Sequence, residues 1–394
     1  MPVYITQNPV VYTPSDNPIT FVFMYDNNVG EYNHVFKISV TLDGVLIGVF
    51  DYFPVLNDIN YYSGYIDISN IIKSYVDKAT TDQTGIVADA SNYATFSINV
   101  NCWYSTNPND AASDQSAQLS SSNYFVFKGC LSNKEFNSWN YADYTTGSAG
   151  RKFLTDNTNI VELRETDETY LQIITDGSSD EVEIRLYTSA GVLIDTNSVS
   201  LLTCKISQIK LSTTLLETIF APSSVASASY FNVRIKSTGG VLNYSQTKRI
   251  NINREGCFNG KNLVWLNKFG AYDTFLFTYN NILKSDIQSK SYGKRLGSFD
   301  GTTYDLDTKD TGSLTYLKTI TDKIQIVSDW LSQVEQNFVV QVYESPLVYI
   351  NEGTLYENIE IENSSYQFKQ AEHEELFNEI IDAKFTHSRK SINI

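Results

Sequence analysis

The 394-residue chain has few basic residues for its size. It contains 29 Lys and Arg against 45 Asp and Glu, which gives a formal net charge of −16. The most basic stretches, Lys290 with Lys294 and Arg295, and the pair Arg389 and Lys390, hold too few charges for a nucleic-acid footprint. Because an acidic surface repels phosphate backbones, we expect no direct nucleic-acid ligand unless folding gathers dispersed charges onto one surface.

Histidine is also scarce, and this limits the chemistry that the chain can perform. His34, His373 and His387 stand far apart in polar surroundings. Neither a zinc site nor a Ser-His-Asp triad follows from that spacing. The glycine-rich phosphate-binding motifs are missing as well. We therefore predict a protein that is not an enzyme, with no catalytic residue, no cofactor-binding residue and no metal ligand.

Four cysteines are present, and none of them forms a metal-binding or redox motif. Cys102, Cys130, Cys204 and Cys257 include no Cys-x-x-Cys pair and have no neighbouring histidine. The first eight residues lack a secretory signal, and no apolar run approaches the roughly 18 residues of a membrane span. We expect a soluble chain made in a cytoplasm, without membrane contact and with four free thiols.

Alternating apolar and polar residues dominate the chain. Residues 36–42 and 45–49 alternate on both sides of Asp43-Gly44, a typical hairpin turn pair. Further runs of period two occur at 96–104 and 182–186. With 42% hydrophobic and 13% aromatic residues, the chain has ample material for folded cores. The pattern predicts an all-β, multidomain architecture of β-sandwiches or small barrels.

Only a few short helices are expected between these strands. One lies near Ser69 to Val76. A second follows Thr214, which has capping-box spacing to Glu217, and a third runs from Ser328 to Val334.

Composition divides the chain into three predicted β domains, 1–128, 129–252 and 253–394. Ser105 to Ser122 contains no aromatic residue and predicts a long exposed hairpin loop. Gly129 to Gly150 is rich in Asn, Ser, Tyr and Gly, which is typical of a linker.

Two clusters raise binding hypotheses. The first is an acidic stretch before a glycine, formed by Asp300, Asp305, Asp307, Asp310 and Gly312. Carboxylates near a glycine bend can bind calcium, but the EF-hand spacing fails, because position five falls on a lysine and position six on an aspartate. An ordinary polar loop is the stronger interpretation.

The second cluster type is aromatic. Tyrosine and tryptophan rings can stack on sugars, and two groups are candidates: Tyr61, Tyr62 and Tyr65, or Trp139, Tyr141 and Tyr144. Packing in a core or a subunit interface explains the same rings more simply. Paired carboxylates could also hydrolyse glycans, but nothing in the sequence selects one pair among 45 acids.

Three segments carry a resemblance to a known group of proteins. Residues 257–277 read CFNGKNLVWLNKFGAYDTFLF, in which a cysteine precedes Trp-Leu-Asn, a glycine turn, an aspartate and an aromatic strand. Two further segments, residues 17–23 with 64–69 and residues 344–350, are similar to segments of the same proteins. The chain resembles structural tail proteins of phages of gut Bacteroidota, including the crAss-like phages.

The same motif has a physical interpretation of its own. Trp265 and Phe269 flank a turn whose bend Gly270 permits. Asp273 is expected to bond the backbone of that turn before the next strand begins. The motif therefore predicts architecture and no chemistry.

The resemblance implies a structural virion protein, a tail hub or baseplate-like component that assembles in several copies around the tail axis. Its expected partners are other copies of itself and neighbouring tail proteins, with an acidic lumen along which DNA slides without adhering. A glycan-binding adhesin or receptor-binding module is the alternative.

The C-terminal segment from Tyr366 to Ile394 breaks the alternating pattern. Its apolar residues cannot all be buried by one face of its own domain, which favours an assembly arm that packs on a neighbouring subunit. An extra strand and helix that close the third domain are the alternative.

Overall fold

The computed structural model describes residues 3–26, 29–58, 61–145, 150–157, 160–175, 180–237, 244–254, 260–279, 281–309, 311–363 and 377–390. The chain forms two compact units. The first consists of Met1–Ile160, Thr169–Asn251 and Leu266–Asp273, and the second of Val161–Glu168, Ile252–Trp265 and Thr274–Ile394.

Strands greatly outnumber helices along the chain. In chain order, the elements are β1 (Tyr4–Gln7), β2 (Tyr12–Pro14), β3 (Thr20–Asp26), β4 (Tyr32–Leu42), β5 (Val45–Tyr52), β6 (Val55–Asp58), β7 (Tyr61–Asp67), α1 (Ser69–Ile72), β8 (Val87–Asp89), β9 (Tyr93–Ser105), β10 (Asp114–Gln115), β11 (Leu119–Ser120), β12 (Tyr124–Phe127), α2 (Asn133–Asn137), β13 (Ile160–Arg164), β14 (Thr169–Ile174), β15 (Asp180–Tyr187), β16 (Leu193–Ser200), β17 (Ile206–Leu211), α3 (Thr213–Leu216), α4 (Pro222–Ser227), β18 (Tyr230–Ser237), β19 (Lys248–Asn253), β20 (Lys261–Leu266), β21 (Tyr272–Phe277), β22 (Asn281–Gly293), β23 (Ser298–Phe299), β24 (Tyr304–Asp305), β25 (Ser313–Val327), α5 (Gln333–Val339), α6 (Gln341–Glu344), β26 (Val348–Glu352), β27 (Leu355–Ile361), β28 (Ile380–Phe385) and β29 (Arg389–Lys390).

The first unit begins with a β-sandwich. One sheet has the strand order β1-β3-β7-β6, and the other has the order β2-β12-β9-β4-β5, with β10 and β11 also paired to β9. Every second residue of β3, β4 and β9 is buried between the sheets. This alternation is the one that the sequence shows, because successive side chains of a strand point to opposite faces.

The predicted hairpin between β4 and β5 is confirmed. Leu42 lies opposite Val45, and the two turn residues Asp43 and Gly44 have φ angles of 46° and 82°. Two consecutive positive φ angles define the turn type whose twist matches paired strands, and glycine adopts the second without strain.

The rest of the first unit is also built from sheets. β14, β17 and β8 form a three-stranded sheet, and β19, β18, β15 and β16 follow one another in a further sheet. A second core cluster fills the space beside β12 and β17, formed by Tyr12, Ala90, Phe127, Leu131, Leu154, Ile174, Ile206, Phe269 and Ala271.

Two loop predictions in this unit are wrong in part. Ser105 to Ser122 does not simply project, since β10 and β11 fold back onto β9 and Ser116 is 8% exposed. Gly129 to Gly150 is not a free linker where the structure describes it, because α2 and Trp139 pack on the second core cluster. Serine hydroxyls and scattered aromatic rings supply the contacts that composition concealed.

The predicted helices exist, but two of them begin elsewhere. Ser212, rather than Thr214, caps α3, and its Oγ accepts from the N–H of Leu215. Ser332 caps α5 in a capping box with Glu335, so Ser328 lies ahead of the helix. Both Ser212 and Ser332 have an extended backbone, as an N-cap requires. Near Ser69 only the single turn of α1 is helical.

The second unit is organised around one large sheet. Its strand order is β21-β20-β26-β27-β28-β25-β22, with β29 also paired to β25. Trp265, Ile324, Phe338, Ile350 and Ile381 are among the buried residues of its core. Helices α5 and α6 contribute Phe338, Val339 and Val342 to the same core.

The structure confirms the all-β fold class with a few short helices. The boundaries expected at residues 128 and 252 stay predictions. No helix among the described residues has the length and apolar character needed to span a membrane. Of the C-terminal segment, 364–376 and 391–394 lie outside the described residues, while β28 pairs with β25 and β27 inside the sheet.

Candidate functional sites

The hairpin formed by β22 and β25 contains a long exposed strand, since β22 is exposed from Ile282 to Gly293. Its register runs from Asn281 opposite Ile326 to Gly293 opposite Ser313. β28 pairs with β25 only from residue 323 onwards, and β29 pairs at Thr319 and Ile320. Beyond Thr319 no third strand among the described residues pairs with the hairpin. We call this two-stranded part the ribbon arm and define it as residues 289–309 and 311–318.

The ribbon arm and its base carry many apolar side chains that face water. Residues 282–293 of β22 are all exposed, on both faces of the strand. The exposed apolar residues of the hairpin are Ile282, Leu283, Ile287, Tyr292, Leu296, Phe299, Tyr304, Leu306 and Tyr316. Phe299 and Leu306 are 65% and 60% exposed. Such a concentration of exposed apolar surface is typical of an interaction surface.

A hollow of about 610 Å³ lies at the base of this hairpin. Leu283, Phe385 and His387 line it, together with a polar group in which Ser285 Oγ donates to Asp322 (2.5 Å) and Arg389 pairs with the same carboxylate (3.0 Å). Both of these contacts lower the pKa of Asp322. The hollow thus combines apolar walls with an ion pair.

In the first unit, the residues of the predicted Trp-Leu-Asn turn form a buried hydrogen-bond network centred on Asn267. Its Oδ1 accepts from the N–H groups of Phe269 (2.9 Å) and Ala271 (3.0 Å), and its Nδ2 donates to Leu154 (3.0 Å) and to Asp273 (2.8 Å). The expectation that Asp273 bonds the turn backbone is therefore corrected. Asn267 performs that role because its amide both donates and accepts.

Gly270 is required in this turn for two reasons. Its φ is +69°, and a Cβ at this position would lie 2.0 Å from the carbonyl oxygen of Lys128. The bend that the sequence predicts at Gly270 is confirmed, and the close backbone approach explains why no side chain fits there.

Asp273 and Lys248 are buried titratable groups beside this network. Burial raises the pKa of Asp273 to about 7, against the hydrogen bonds from Thr155 and Asn267, which lower it. Burial likewise lowers the pKa of Lys248 to about 8, while the charges of Asp273 and Asp156 raise it. Lys248 Nζ donates to the carbonyl of Asn157 (2.8 Å). Asp273 holds the turn through its bond to Asn267, whereas the bond from Lys248 fixes the segment at Asn157.

The predicted aromatic group at Trp139, Tyr141 and Tyr144 is brought together, but inside a core. The Trp139 ring contacts Phe127, Tyr144 and Phe269, and its Nε1 donates to the carbonyl of Tyr12 (2.7 Å). Tyr141 packs against Tyr12. A hollow of about 220 Å³ borders Trp139 and Tyr144. Packing thus accounts for these rings, as the simpler interpretation expected.

The other aromatic group is split between core and surface. Tyr62 stacks on the buried His34 at 3.9 Å, whereas Tyr61 and Tyr65 are 39% and 59% exposed. Burial lowers the pKa of His34, so its ring acts as a packing partner of Tyr62. Tyr61 and Tyr65 remain available for contacts with another molecule.

Two residues of the acidic stretch stabilise turns of the backbone. Asp300 accepts from the N–H groups of Thr302 and Thr303, and Asp307 accepts from that of Lys309. These bonds form turns of a polar loop. Asp310 and His373 lie outside the described residues. Within those residues no group of three metal-ligating side chains comes together.

Cys102, Cys130 and Cys204 are free thiols, and Cys257 lies outside the described residues. Burial raises the pKa of Cys102 to about 12. The count of four free thiols stays a prediction.

Sequence reasoning missed the β22–β25 hairpin entirely. The apolar residues of β22 follow no period of two, because neither face of that strand is buried and no alternation is required. The usable signal was the pair of long segments, of 13 and 15 residues, that are rich in Ser, Thr, Lys and β-branched residues and lie on the two sides of a turn-rich stretch.

Comparison with known proteins does not assign this chain to a family. No family model matches the sequence, and no curated protein matches it. Among solved structures, the fibronectin(III)-like modules of Clostridium thermocellum CbhA share 8% identity over 64% of this chain and 93% of theirs, with a TM-score of 0.17. Extracellular domains 3–5 of Drosophila OTK share 10% identity over 82% of this chain and 92% of theirs, with a TM-score of 0.20. Such scores are too low to transfer a fold or a function.

Proposed function

We propose that this protein is a structural component of a phage tail, a hub or baseplate-like part that is present in several copies and contacts neighbouring tail proteins. The observation that carries the assembly role is the ribbon arm, whose apolar residues face water. The phage assignment comes from the resemblance of residues 257–277, 17–23 with 64–69, and 344–350 to tail proteins of crAss-like phages.

The low intrinsic stability and the exposed apolar residues of the ribbon arm support the proposal that it binds a partner. A two-stranded hairpin is marginally stable in water, because it lacks a third strand or a packed face. Phe299 and Leu306 near its tip each leave apolar surface in water that burial against another protein would stabilise. An arm of this kind is suited to docking on a neighbouring subunit.

The charge of the chain suits a tail lumen. A net charge of −16 disfavours adhesion to the phosphate backbone of passing DNA. No catalytic chemistry is proposed, and the buried groups Asn267 and Asp273 serve architecture.

Shortening the ribbon arm tests the proposal. Joining Gln288 directly to Thr319 through Asn-Gly removes the arm while keeping the paired base. We expect this variant to stay folded, with a thermal midpoint within a few degrees of the parent, but to be absent from particles, because the assembly contact is gone. Immunogold electron microscopy of virions purified from complemented phage measures this.

A matched pair of variants sharpens the same experiment. Phe299→Ser with Leu306→Ser changes the arm, whereas Val45→Ser with Leu46→Ser changes two similarly exposed residues of the β4–β5 hairpin. Only the first pair should reduce incorporation. Label on the host surface instead of on particles, or equal incorporation of every variant, would contradict the proposal.

A glycan-binding adhesin or receptor-binding module is the second candidate, and one observation favours it. Tyr65 is 59% exposed and Phe53 is 74% exposed. Exposed rings of this kind can stack on sugar faces. Selective binding on a glycan array that is lost in Tyr65→Ala would support this candidate, and absence of binding would support assembly alone.

A further inference from the structure

The strand β22 is the last strand of its sheet. Within the described residues it pairs with β25 on one side, and no described strand pairs with its other side. Its 13 residues span about 40 Å at the usual rise per residue. An unpaired edge of that length exposes a row of backbone N–H and C=O groups that can pair with another strand.

Successive side chains of β22 point to opposite faces of the sheet, so Lys284 and Asp286 share one face while Leu283, Ser285 and Ile287 share the other. Lys284 and Asp286 line a hollow of about 340 Å³ beside Lys323. Leu283, Lys284 and Ser285 line the larger hollow, so Lys284 borders both.

This sequence is self-complementary in the antiparallel direction about Ser285. When two copies of β22 run antiparallel with Ser285 opposite Ser285, Lys284 lies opposite Asp286 of the second copy, and Leu283 lies opposite Ile287 of the second copy. Both the charged pair and the apolar pair then occur twice. Opposite charges and apolar pairs placed directly across an antiparallel ladder stabilise it.

Neighbouring registers lack this complementarity. A two-fold axis through Lys284 or through Asp286 places that residue opposite its own charge. An axis through Ile287 places Lys284 opposite Lys290, and an axis through Leu283 gives neither of the two charged residues an oppositely charged partner. Among these five registers, only the axis through Ser285 pairs opposite charges. The axes through Lys284, Asp286 and Ile287 bring like charges together, which is destabilising.

We propose that two copies of this chain pair through the edges of β22, antiparallel and centred on Ser285, so that their large sheets become continuous. The occupant of the edge is thus a second copy of the same chain. Such a contact is isologous, since each copy offers the same surface. The proposal deepens the proposed function and rests on it in one respect, that several copies of the chain meet.

A disulfide at the two-fold position tests the register. In this register, Ser285→Cys places two cysteines directly opposite each other, where cross-strand Cβ atoms lie about 4.5–5.5 Å apart, close to disulfide geometry. The full-length chain with Cys130→Ser as background is used, and linked peptides are identified by mass spectrometry. We expect a covalent Ser285→Cys dimer under mild oxidation. Gln288→Cys, which lies opposite Ile282 of the second copy, should remain mainly monomeric.

A charge-swap series tests the energetics by sedimentation velocity. Lys284→Glu places two acids together at both symmetric contacts, so we expect the dimer dissociation constant to rise about tenfold. Lys284→Glu with Asp286→Lys should restore it. Lys318→Glu, which makes the same charge change on β25, should leave it nearly unchanged. Thermal unfolding of each variant checks that the fold is retained, because Asp286 also pairs with Lys323 (2.8 Å).

The outcomes separate this inference from the proposed function. A chain that is monomeric at every concentration, a Gln288→Cys dimer as abundant as the Ser285→Cys dimer, or equal effects of Lys284→Glu and Lys318→Glu would each overturn the pairing. Virion labelling that depends on the ribbon arm could still succeed in those cases. Conversely, a Ser285-centred dimer without virion labelling would retain the pairing and reject the tail assignment.

Discussion

Strands β9 and β22 have the same length and opposite environments. Each contains 13 residues, yet β9 alternates between buried and half-buried positions along most of its length, while β22 is exposed at every residue after Asn281. β9 has an apolar residue at every second position from Ala94 to Cys102, and it pairs with strands on both sides. β22 has no such alternation, and among the residues that the structure describes it pairs on one side only.

The difference shows what a strand needs in order to be buried. Alternation lets one face of β9 enter the sandwich core while the other face meets neighbouring layers or water. β22 places apolar residues on both faces, so its own unit buries neither. Strand length and β-propensity form the ladder in both cases, but only the hydrophobic period determines which strand belongs to a core.

Matched truncations of one isoleucine in each strand should show the largest effect. Ile98 of β9 is fully buried, whereas Ile287 of β22 is 59% exposed. Ile98→Ala should lower the free energy of unfolding by about 3 kcal/mol, because it removes packed methyl groups and leaves a cavity. Ile287→Ala should lower it by less than about 0.5 kcal/mol.

Urea unfolding of the full chain at low protein concentration measures both values. Equal losses would mean that the two strands do not differ as described. A loss for Ile287→Ala that grows with protein concentration would instead place Ile287 in the contact between two copies, where it lies opposite Leu283.

Two aspartates, one buried and one bonded to β22, are expected to make stability depend on pH in opposite directions. The pKa of Asp273 is raised to about 7 by burial, against the charge of Lys248, and that of Asp322 is lowered by Ser285 and Arg389. The buried acid therefore contributes stability that is fully present below about pH 4 and is lost as the pH rises through about 7. Asp322 contributes with the opposite sign, since its stabilisation is lost as the pH falls through its lowered pKa.

Unfolding free energies measured from pH 4 to pH 7 should show this sign. Asp273→Asn should remove a decline of roughly 3 kcal/mol over that range, which corresponds to the raised pKa. Asp322→Asn is the matched control and should leave the decline unchanged. A parent chain whose stability rises steadily between pH 4 and pH 7, with no change in Asp273→Asn, would contradict a buried neutral Asp273.

The sequence allowed the sandwich to be predicted because its signals are local. Asp43-Gly44 supplies the positive φ angles of a hairpin turn, and the alternation on both sides determines which face is buried. The caps were less predictable, because Ser212 and Thr214 have equally suitable hydroxyls. Only the backbone conformation, extended at Ser212 and helical at Thr214, decides which one accepts the hydrogen bond.

The candidate sites were harder to predict because they depend on contacts distant in sequence. Asn267 bonds Leu154, 113 positions away, so its central role in the turn cannot be derived from the motif alone. The sequence predicts that Trp139 belongs to an aromatic group with Tyr141 and Tyr144. Only the fold shows that Phe127 and Phe269 also pack against its ring. The exposure of β22 depends on the absence of a neighbouring strand among the residues that the structure describes, which no local pattern encodes.

The smallest expected difference in stability between β9 and β22 concerns one serine hydroxyl that bonds each strand. Ser116 is buried, and its Oγ accepts from the N–H of Cys102 in β9 (2.9 Å) and donates to the carbonyl of Ala117 (3.2 Å). Ser116→Ala should cost about 1 kcal/mol, because the N–H of Cys102 is left buried without its acceptor. Ser291 of β22 shares a hydrogen bond with Thr315 (2.9 Å) at an exposed position. Ser291→Ala should cost nearly nothing, since water replaces the lost hydroxyl. Urea titrations measure both free energies of unfolding. Equal losses in the two variants would show that the exposure of a hydroxyl does not determine how much its hydrogen bond contributes to stability here.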